Sequence, residues 1–352
     1  MKRNQILCCG LIVCVTICST LSTALAQEDA IYRIKKSGKV SRQLGKIESI
    51  SKLAISFSDR GGSENVPVWE IDKILVGSEP AQLDDARDSV KSGSNDEAIE
   101  LLGQVKKGSN PAIDAEVDWY LALAKANTTF SGGSYNAVDA GGEVAKFLRT
   151  HPESFHFVPA TDLLGQLAMA GGKLDFAVKQ FSVLTKSKWP EYVARGYFFS
   201  GEALIRGKKY DQAKAAYEKI IGLQSNDDIT QRYKQLAKCQ MARVTALKGD
   251  PGAAIKQLEA IISRENPDNT ELFAYAYNAL GHCYLKQNNL AEAEEKFLFT
   301  DLLFDTEAAP HAEAVFQLAN IWSTQKQTDL SSEARKIINS RYRNTWWRSQ
   351  LN

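Results

Sequence analysis

The chain has 352 residues, with 43 Lys and Arg against 42 Asp and Glu, 44% hydrophobic residues and six cysteines. This balanced charge argues against a protein that binds nucleic acid through a generally basic surface. The apolar content is sufficient for a folded core, and the cysteines are too few for a disulfide scaffold.

The N-terminus has the three parts of a secretory signal peptide. Met1–Gln5 is basic, Ile6–Leu21 is apolar and uncharged, and Ala24–Ala26 is a small-residue cleavage site. We therefore predict a signal peptide over residues 1–26, cut after Ala26, and a protein exported to the periplasm or cell envelope. An uncleaved anchor is the alternative, because the apolar run approaches the ~20 residues that cross a bilayer.

Residues 27–80 are predicted to form a small β domain. Leu53, Ile55 and Phe57 alternate with small or polar residues, which is the period of a half-buried strand. Pro67 favours an edge strand, because proline has no N–H for a neighbouring strand. Four or five short strands in this length predict a small open barrel of SH3-like or Sm-like type.

Within this domain, the stretch Ile31–Ile47 carries six basic residues and no acid. We single out five of them as a possible patch for an anionic partner, which are Arg33, Lys35, Lys36, Lys39 and Arg42. Such a patch suits an anionic lipid or a cell-wall polymer, and export argues against nucleic acid. The alternative is that exposed lysines protect strand edges from aggregation.

Residues 81–352 carry a signature that recurs every 36 to 41 residues, an Ala followed four residues later by a large apolar residue. The pairs are Ala98 with Leu102, Ala177 with Phe181, Ala213 with Tyr217, Ala254 with Leu258, and Ala293 with Phe297. A glycine stands 12 residues before the Ala in three units, at Gly165, Gly201 and Gly281. The spacing predicts one degenerate unit around Trp119–Pro152 and a last, irregular unit at Ala334, about seven in all.

The best-defined unit has the pattern Tyr277-x-x-Leu280-Gly281-x-x-Tyr284, followed by Ala293-x-x-x-Phe297, and resembles the tetratricopeptide repeat. The resemblance implies a mainly α fold, an α-solenoid whose units bury their apolar faces on their neighbours. It also implies that the first helices line a concave groove for an extended peptide or a helix. By position, the groove residues would be Arg195, Phe198, Glu202, Arg243, Tyr275, Asn278 and His282.

No catalytic or metal-binding constellation stands out in the sequence. The four histidines lack zinc-ligand spacing, and no nucleophile or nucleotide motif is present. We therefore expect no catalytic residues, no metal and no cofactor. His151 and His156 flank a helix end and are predicted to lie on the surface. Outside the signal peptide only Cys239 and Cys283 remain, and both a bridge and two free thiols are open.

The C-terminal run Arg341–Arg348 mixes basic and aromatic residues. We interpret it as a capping helix over the last apolar face, with contact to a polyanion or a membrane surface as the alternative.

Together these features predict a non-enzymatic exported scaffold or adaptor that binds a protein or peptide partner in the concave groove. Its role would be cell-envelope assembly or organisation. The alternative is an envelope factor that binds anionic lipid or cell-wall polymer through the basic β domain. A third possibility, an enzyme with its site between the β domain and the first repeats, requires a polar pocket with convergent titratable groups there. The identity of the partner and the oligomeric state cannot be read from the sequence.

Overall fold

The computed structural model describes residues 28–35, 38–108 and 110–351. The predicted signal peptide and Lys36 lie outside the described residues. Five strands come first, with a short 3₁₀ helix (Val68–Glu70) before the last of them. The strands are β1 (Asp29–Ile34), β2 (Val40–Ile50), β3 (Ala54–Asp59), β4 (Gly62–Pro67) and β5 (Ile71–Leu75).

The strands form one antiparallel sheet in the order β4-β3-β2-β1-β5, as expected of a small SH3-like domain. Ile55 and Phe57 of β3 are buried, as the alternation predicted. Leu53, predicted for the same face, precedes β3 and is 48% exposed. The chain turns there, because Ser51 Oγ accepts a hydrogen bond from the Ala54 N–H.

Fifteen helices follow in the described residues, and none of them combines the length and apolar character needed to cross a membrane. They are α1 (Ala81–Ser92), α2 (Asn95–Gln104), α3 (Pro111–Phe130), α4 (Ala137–Thr150), α5 (Phe157–Ala170), α6 (Leu174–Leu184), α7 (Pro190–Arg206), α8 (Tyr210–Ile221), α9 (Asp228–Leu247), α10 (Pro251–Ile262), α11 (Thr270–Lys286), α12 (Leu290–Leu303), α13 (Ala308–Thr324), α14 (Thr328–Ser340) and α15 (Trp346–Ser349).

The first fourteen helices form seven consecutive pairs, and the turn inside each pair contains a residue with positive φ. These residues are Gly93, Gly132, Gly172, Lys208, Gly249, Asn288 and Lys326. They recur every 36 to 41 residues, so the period of the sequence pattern is also the period of the turn geometry. Glycine adopts this backbone without strain and Asn tolerates it better than most residues, which explains four glycines and one Asn among the seven positions.

The glycines of the repeat pattern lie where the two helices of a pair come closest. A Cβ added at any of the three would come within 2.6 Å of an aromatic ring on the second helix. The contacts are Gly165 with Phe181 at 2.5 Å, Gly201 with Tyr217 at 2.4 Å, and Gly281 with Phe297 at 2.6 Å. The ring therefore fills the volume that a side chain at the glycine would need, which confirms the predicted helix pairs.

Two units depart from the simple pattern. In the degenerate unit, α4 begins late because the Asn136 side chain caps it, and Ala140 with Val144 supplies the buried pair. In the last unit, the position of the repeat Ala, five residues after the positive-φ residue Lys326, is occupied by Ser331. Ala334, the residue predicted for this unit, is buried three residues later. The Ser331 hydroxyl donates to the Ala319 carbonyl at 2.9 Å, so a hydrogen bond stands where other units have packed methyl groups.

The sheet and the first helices share one hydrophobic core. Ile31 and Ile74 of the strands pack in the same cluster as Leu83 of α1, Leu102 of α2 and Val117 of α3. The sheet therefore covers the apolar face of the first helix pairs, which has no preceding repeat to bury it.

The last residues of the chain return to an early part of the array. Asn344 Nδ2 donates to the carbonyl oxygens of Thr129, at 3.1 Å, and Tyr135, at 2.9 Å, across 215 and 209 residues of sequence. Gly132 permits this approach, since an added Cβ would lie 3.0 Å from the Ser340 carbonyl oxygen. The superhelix is thus closed between its second and its last helix pair.

We predict that Gly281→Ala lowers the free energy of unfolding by about 1–3 kcal/mol, because the added methyl group overlaps the Phe297 ring. The matched control is Gly142→Ala in α4, where an added Cβ meets nothing within 4 Å. That change should stabilise the protein by roughly 0.5–1 kcal/mol, since alanine is the better helix former. Urea unfolding followed by circular dichroism measures both, and equal effects of the two changes would contradict the packing argument.

Candidate functional site

The first helices of successive pairs contact one another from α3 to α13 and form an inner layer. We call the side chains between these helices the inner face. Contacts on this face skip a unit: the ring of Phe198 on α7 lies 5.6 Å from that of Tyr275 on α11, and Arg243 on α9 reaches Glu313 on α13. The array therefore curves tightly enough for side chains two units apart to meet.

A buried ion pair lies at the centre of this face. The Arg243 guanidinium donates to both carboxylate oxygens of Glu313, and His282 Nε2 lies 2.7 Å from Glu313 Oε1. Burial alone would raise the pKa of Glu313, but Arg243 and His282 lower it to about 2. Burial and the neighbouring Arg243 lower the pKa of His282, so the imidazole is neutral at pH 7.

A second buried carboxylate, Glu202 on α7, lies three units before Glu313. Glu202 accepts a hydrogen bond from the Tyr217 hydroxyl at 2.9 Å. Burial raises the pKa of Glu202, and Arg243 and Arg206 oppose that rise. The Tyr217 ring also packs on Gly201, where α7 and α8 come closest. The Tyr217 side chain therefore takes part both in this helix contact and in the hydrogen bond to the buried Glu202 carboxylate.

The seven residues predicted to line the groove lie together on the inner face, but most of them are buried by contacts with other residues of the array. Phe198 is 1% exposed and packs on the rings of Tyr233 and Tyr275. Asn278 is buried and donates to the Pro310 carbonyl at 2.8 Å. Arg243, Glu202 and Tyr275 are buried as well. These side chains hold the array together, and their assignment as partner contacts stays a prediction.

Two of the seven keep part of their surface. Arg195 is half-buried and bonds Asp162 at 2.8 Å and the Tyr233 hydroxyl at 2.8 Å. His282 is also only partly covered. For these two, contact with a partner is compatible with the observed burial.

A cavity of about 250 Å³ with a mostly apolar lining opens on the inner face. It is smaller than the roughly 300–1,000 Å³ of typical small-molecule pockets, so it suits one or two side chains of a larger partner. The residues that line it from the array are Phe130, Gln166, Met169, Ala170, Phe199, Arg206, Ala308, Ala309 and Ala312.

The C-terminal run forms the remaining wall of this cavity. Trp346 and Trp347 line it, and the Arg206 guanidinium carbon lies 5.7 and 5.6 Å from the centres of their indole rings. Trp347 also packs on Phe316 of α13, with ring centres 5.2 Å apart. The run therefore covers the last helix pair, as the capping interpretation predicted, and also extends across the inner face.

Sequence reasoning missed the array side of this cavity. Phe199 and Arg206 lie on α7, one position after Phe198 and one turn after Glu202, the residues chosen for the groove. A rotation of ~100° around the helix separates Phe199 from Phe198, whereas Arg206 lies on nearly the same side of the helix as Glu202, one turn further on. The signal that could have led to the cavity is the aromatic pair Trp346–Trp347, which lies in the run interpreted as a cap over the last apolar face.

The basic residues of the β domain are only partly free. Arg33 pairs with Glu64 and Glu70, whereas Lys35, Lys39 and Arg42 are exposed. Arg33, Lys35 and Arg42 line an open cleft together with Trp69 and Glu70. Arg33 lies on β1, an interior strand paired on both sides, so edge protection does not explain it.

A cleft of about 490 Å³ lies between β2, the start of α3 and the α4–α5 loop. Its lining includes His151 and Glu116. His151 lies 3.0 Å from Asp118, and His156 lies 2.8 Å from Glu116, which also pairs with Arg87. His156 is buried against the Trp119 ring, so the predicted surface position is wrong for this residue. The Glu116 and Asp118 carboxylates are thus each already partnered.

The two cysteines outside the predicted signal peptide form no disulfide with each other. Cys239 and Cys283 are free and buried, and burial raises the pKa of both thiols to about 12. Thiols in such surroundings are chemically inert. Among the residues that the structure describes, no group of three or more potential ligands is arranged to hold a metal ion.

Comparison with known proteins agrees with this geometry. Residues 194–227 and 242–298 match family models described as tetratricopeptide repeat. The chain has the tetratricopeptide repeat-like fold and contains repeats of that family, preceded by a five-stranded sheet. The predicted resemblance is thereby confirmed. No protein with a curated description matches the sequence significantly.

Solved structures show the same fold at low sequence identity. A tetratricopeptide repeat protein from Parabacteroides merdae ATCC 43184 is 16% identical, with a TM-score of 0.53, covering 74% of this chain and 91% of that one. The apo form of RapI is 12% identical, with a TM-score of 0.52, covering 75% of this chain and 97% of its own. At these identities the likeness extends to the fold and not to the function.

We predict that Glu313→Gln lowers the free energy of unfolding by about 3–5 kcal/mol at neutral pH, because it leaves Arg243 buried without its counter-ion. The lowered pKa of Glu313 means that its contribution is fully present above the unfolded value near 4.5 and disappears as the pH falls toward about 2. The difference between wild type and variant should therefore narrow over that range.

Urea unfolding at several pH values from 7 to below 4 measures this dependence. The matched control is Glu333→Gln on α14, whose side chain is exposed and pairs with Lys336. That variant should stay within about 0.5 kcal/mol of wild type at every pH. A constant difference for Glu313→Gln across the range would rule out the ion pair as its cause.

Proposed function

We propose that this protein is a non-enzymatic, exported scaffold that binds a protein or peptide partner at the inner face of its helical array. The observation that carries the proposal is the apolar cavity at the mouth of a closed tetratricopeptide repeat-like superhelix. Solenoids of this kind present extended concave surfaces for binding. Aromatic and arginine side chains around such a pocket are the residue types that dominate interface energetics.

Export and a role in cell-envelope assembly or organisation belong to the same proposal. The basic start, the apolar run and the small-residue site before Gln27 support them.

Phe199→Ala tests the binding site. Phe199 is half-buried and lines the cavity, so we expect its removal to reduce partner recovery about tenfold, corresponding to ~1.4 kcal/mol. The tagged full chain is incubated with an envelope extract, and bound proteins are quantified by mass spectrometry. The matched control is Phe176→Ala on α6, an exposed phenylalanine outside the cavity.

Thermal melting of both variants separates binding from folding, because Phe199 also packs on Phe181. Equal recovery with Phe199→Ala and with Phe176→Ala, in two folded proteins, would count against the inner face as the binding surface.

A second candidate function is supported by the cleft beside Trp69. Lys35 and Arg42 line it, Lys39 is exposed on the connection between β1 and β2, and Trp69 keeps 38% of its surface. Cations next to a partly exposed indole suit the headgroup region of an anionic membrane or an anionic cell-wall polymer.

We expect wild-type protein to sediment with phosphatidylglycerol vesicles at low ionic strength and to lose this binding at high salt. Replacing Lys35, Lys39 and Arg42 by Ala should weaken the binding about a hundredfold, at ~1 kcal/mol per cation. The control replaces Lys179, Lys186 and Lys188 on and after α6, which are also exposed. No salt-sensitive binding to vesicles or purified cell wall would dispose of this function.

A further inference from the structure

The C-terminal run is ordered by what it contacts more than by its own secondary structure. Its only helix, α15, has four residues, which is too short to be stable alone. Trp347 is nevertheless only 6% exposed. The order of this segment therefore depends on its seat between α13 and the earlier helices.

The contacts of the segment are those of a bound peptide. Asn344 uses its side-chain amide to bond backbone carbonyls of the α3–α4 turn, at 3.1 Å to Thr129 and 2.9 Å to Tyr135. The indole pair is held by the cation of Arg206 on α7. These contacts come from the Asn344 amide and the two adjacent indole rings. A segment of another protein with the same side chains could make them equally well.

The seat is incompletely filled. About 250 Å³ remains between the indoles and the side chains of Phe130, Met169 and Phe199. The segment thus leaves apolar surface of the inner face uncovered, and a different occupant could fill more of it. An occupant that covers this surface would bind more tightly than the chain's own residues.

We propose that Arg341–Leu351 is an intramolecular ligand of the inner-face cavity. The partner, on this proposal, is an extended protein segment that carries adjacent aromatic side chains next to an amide side chain, and it displaces the chain's own segment. This inference rests on the proposed function and names the chemistry of the partner that the inner face selects.

Tethering sets the size of the effect. A short linker holds a segment at an effective concentration on the order of millimolar, so a free peptide of the same sequence competes poorly with it. Release of the tethered segment should therefore expose the site to a free peptide. The expected gain in apparent affinity is at least about tenfold.

The test uses the full chain and a fluorescein-labelled synthetic peptide with the sequence of Arg341–Leu351. Fluorescence anisotropy measures peptide binding to wild type and to the Trp346→Ala/Trp347→Ala variant. We expect the variant to bind at least about tenfold more tightly than wild type. Adding Arg206→Ala to that variant should abolish the gain, and a peptide with both tryptophans replaced by alanine should not bind.

Two further variants keep the result interpretable. Asn344→Ala retains both indoles but loses the hydrogen bonds to the α3–α4 turn, so it should also bind the free peptide more tightly than wild type. If the double tryptophan variant does not fold, the comparison of Asn344→Ala with wild type replaces it. Leu302→Ala/Leu303→Ala removes two exposed apolar side chains from α12 and should behave like wild type.

Equal affinity of wild type and the released variants for the peptide, or equal binding of the alanine peptide, overturns the inference. The outcome is separate from that of the proposed function. If partner recovery depends on Phe199 but is the same for wild type and the released variants, the inner face binds a partner and the C-terminal segment is only a structural cap.

Discussion

The close approach of the two helices in each pair is the constraint on which the rest of this structure depends. At Gly165, Gly201 and Gly281 an aromatic ring of the second helix occupies the space where a Cβ would be. Helices that pack this closely need a sharp connection, and each pair has a turn with a positive-φ residue. Repeating the same pair geometry at 36 to 41 residues builds the solenoid and sets its curvature.

Tight curvature brings the first helices together and fills the inner face. Arg243 and Glu313 are 70 residues apart, yet they form a buried ion pair, and Phe198 contacts rings on two later helices. Burying charges costs several kcal/mol per ion, and only close pairing and further hydrogen bonds offset that cost. His282 supplies one of those bonds, so the polar residues of the inner face serve one another first.

The two ends of the array are closed by different means. A solenoid leaves an apolar face at each terminus, because the outermost unit has no neighbour. At the start, the five-stranded sheet shares its core with the first helices. At the end, Tyr342 and Trp347 pack in the same cluster as Val315 and Ile338. The C-terminal segment then continues to the α3–α4 turn and forms one wall of the cavity on the inner face.

The sequence by itself determined the helix pairs, because small and aromatic residues at fixed spacing report a contact within one unit. Ala293 with Phe297 and Gly281 are close in the chain, so their packing is local. It also indicated the sheet, through the alternation at Ile55 and Phe57. The tertiary structure alone decided which inner residues remain accessible. That outcome depends on curvature, and curvature sums small rotations over several units that no local pattern records. Arg243 therefore meets Glu313 instead of solvent, and the chain's own Trp346 and Trp347 line the cavity on the inner face.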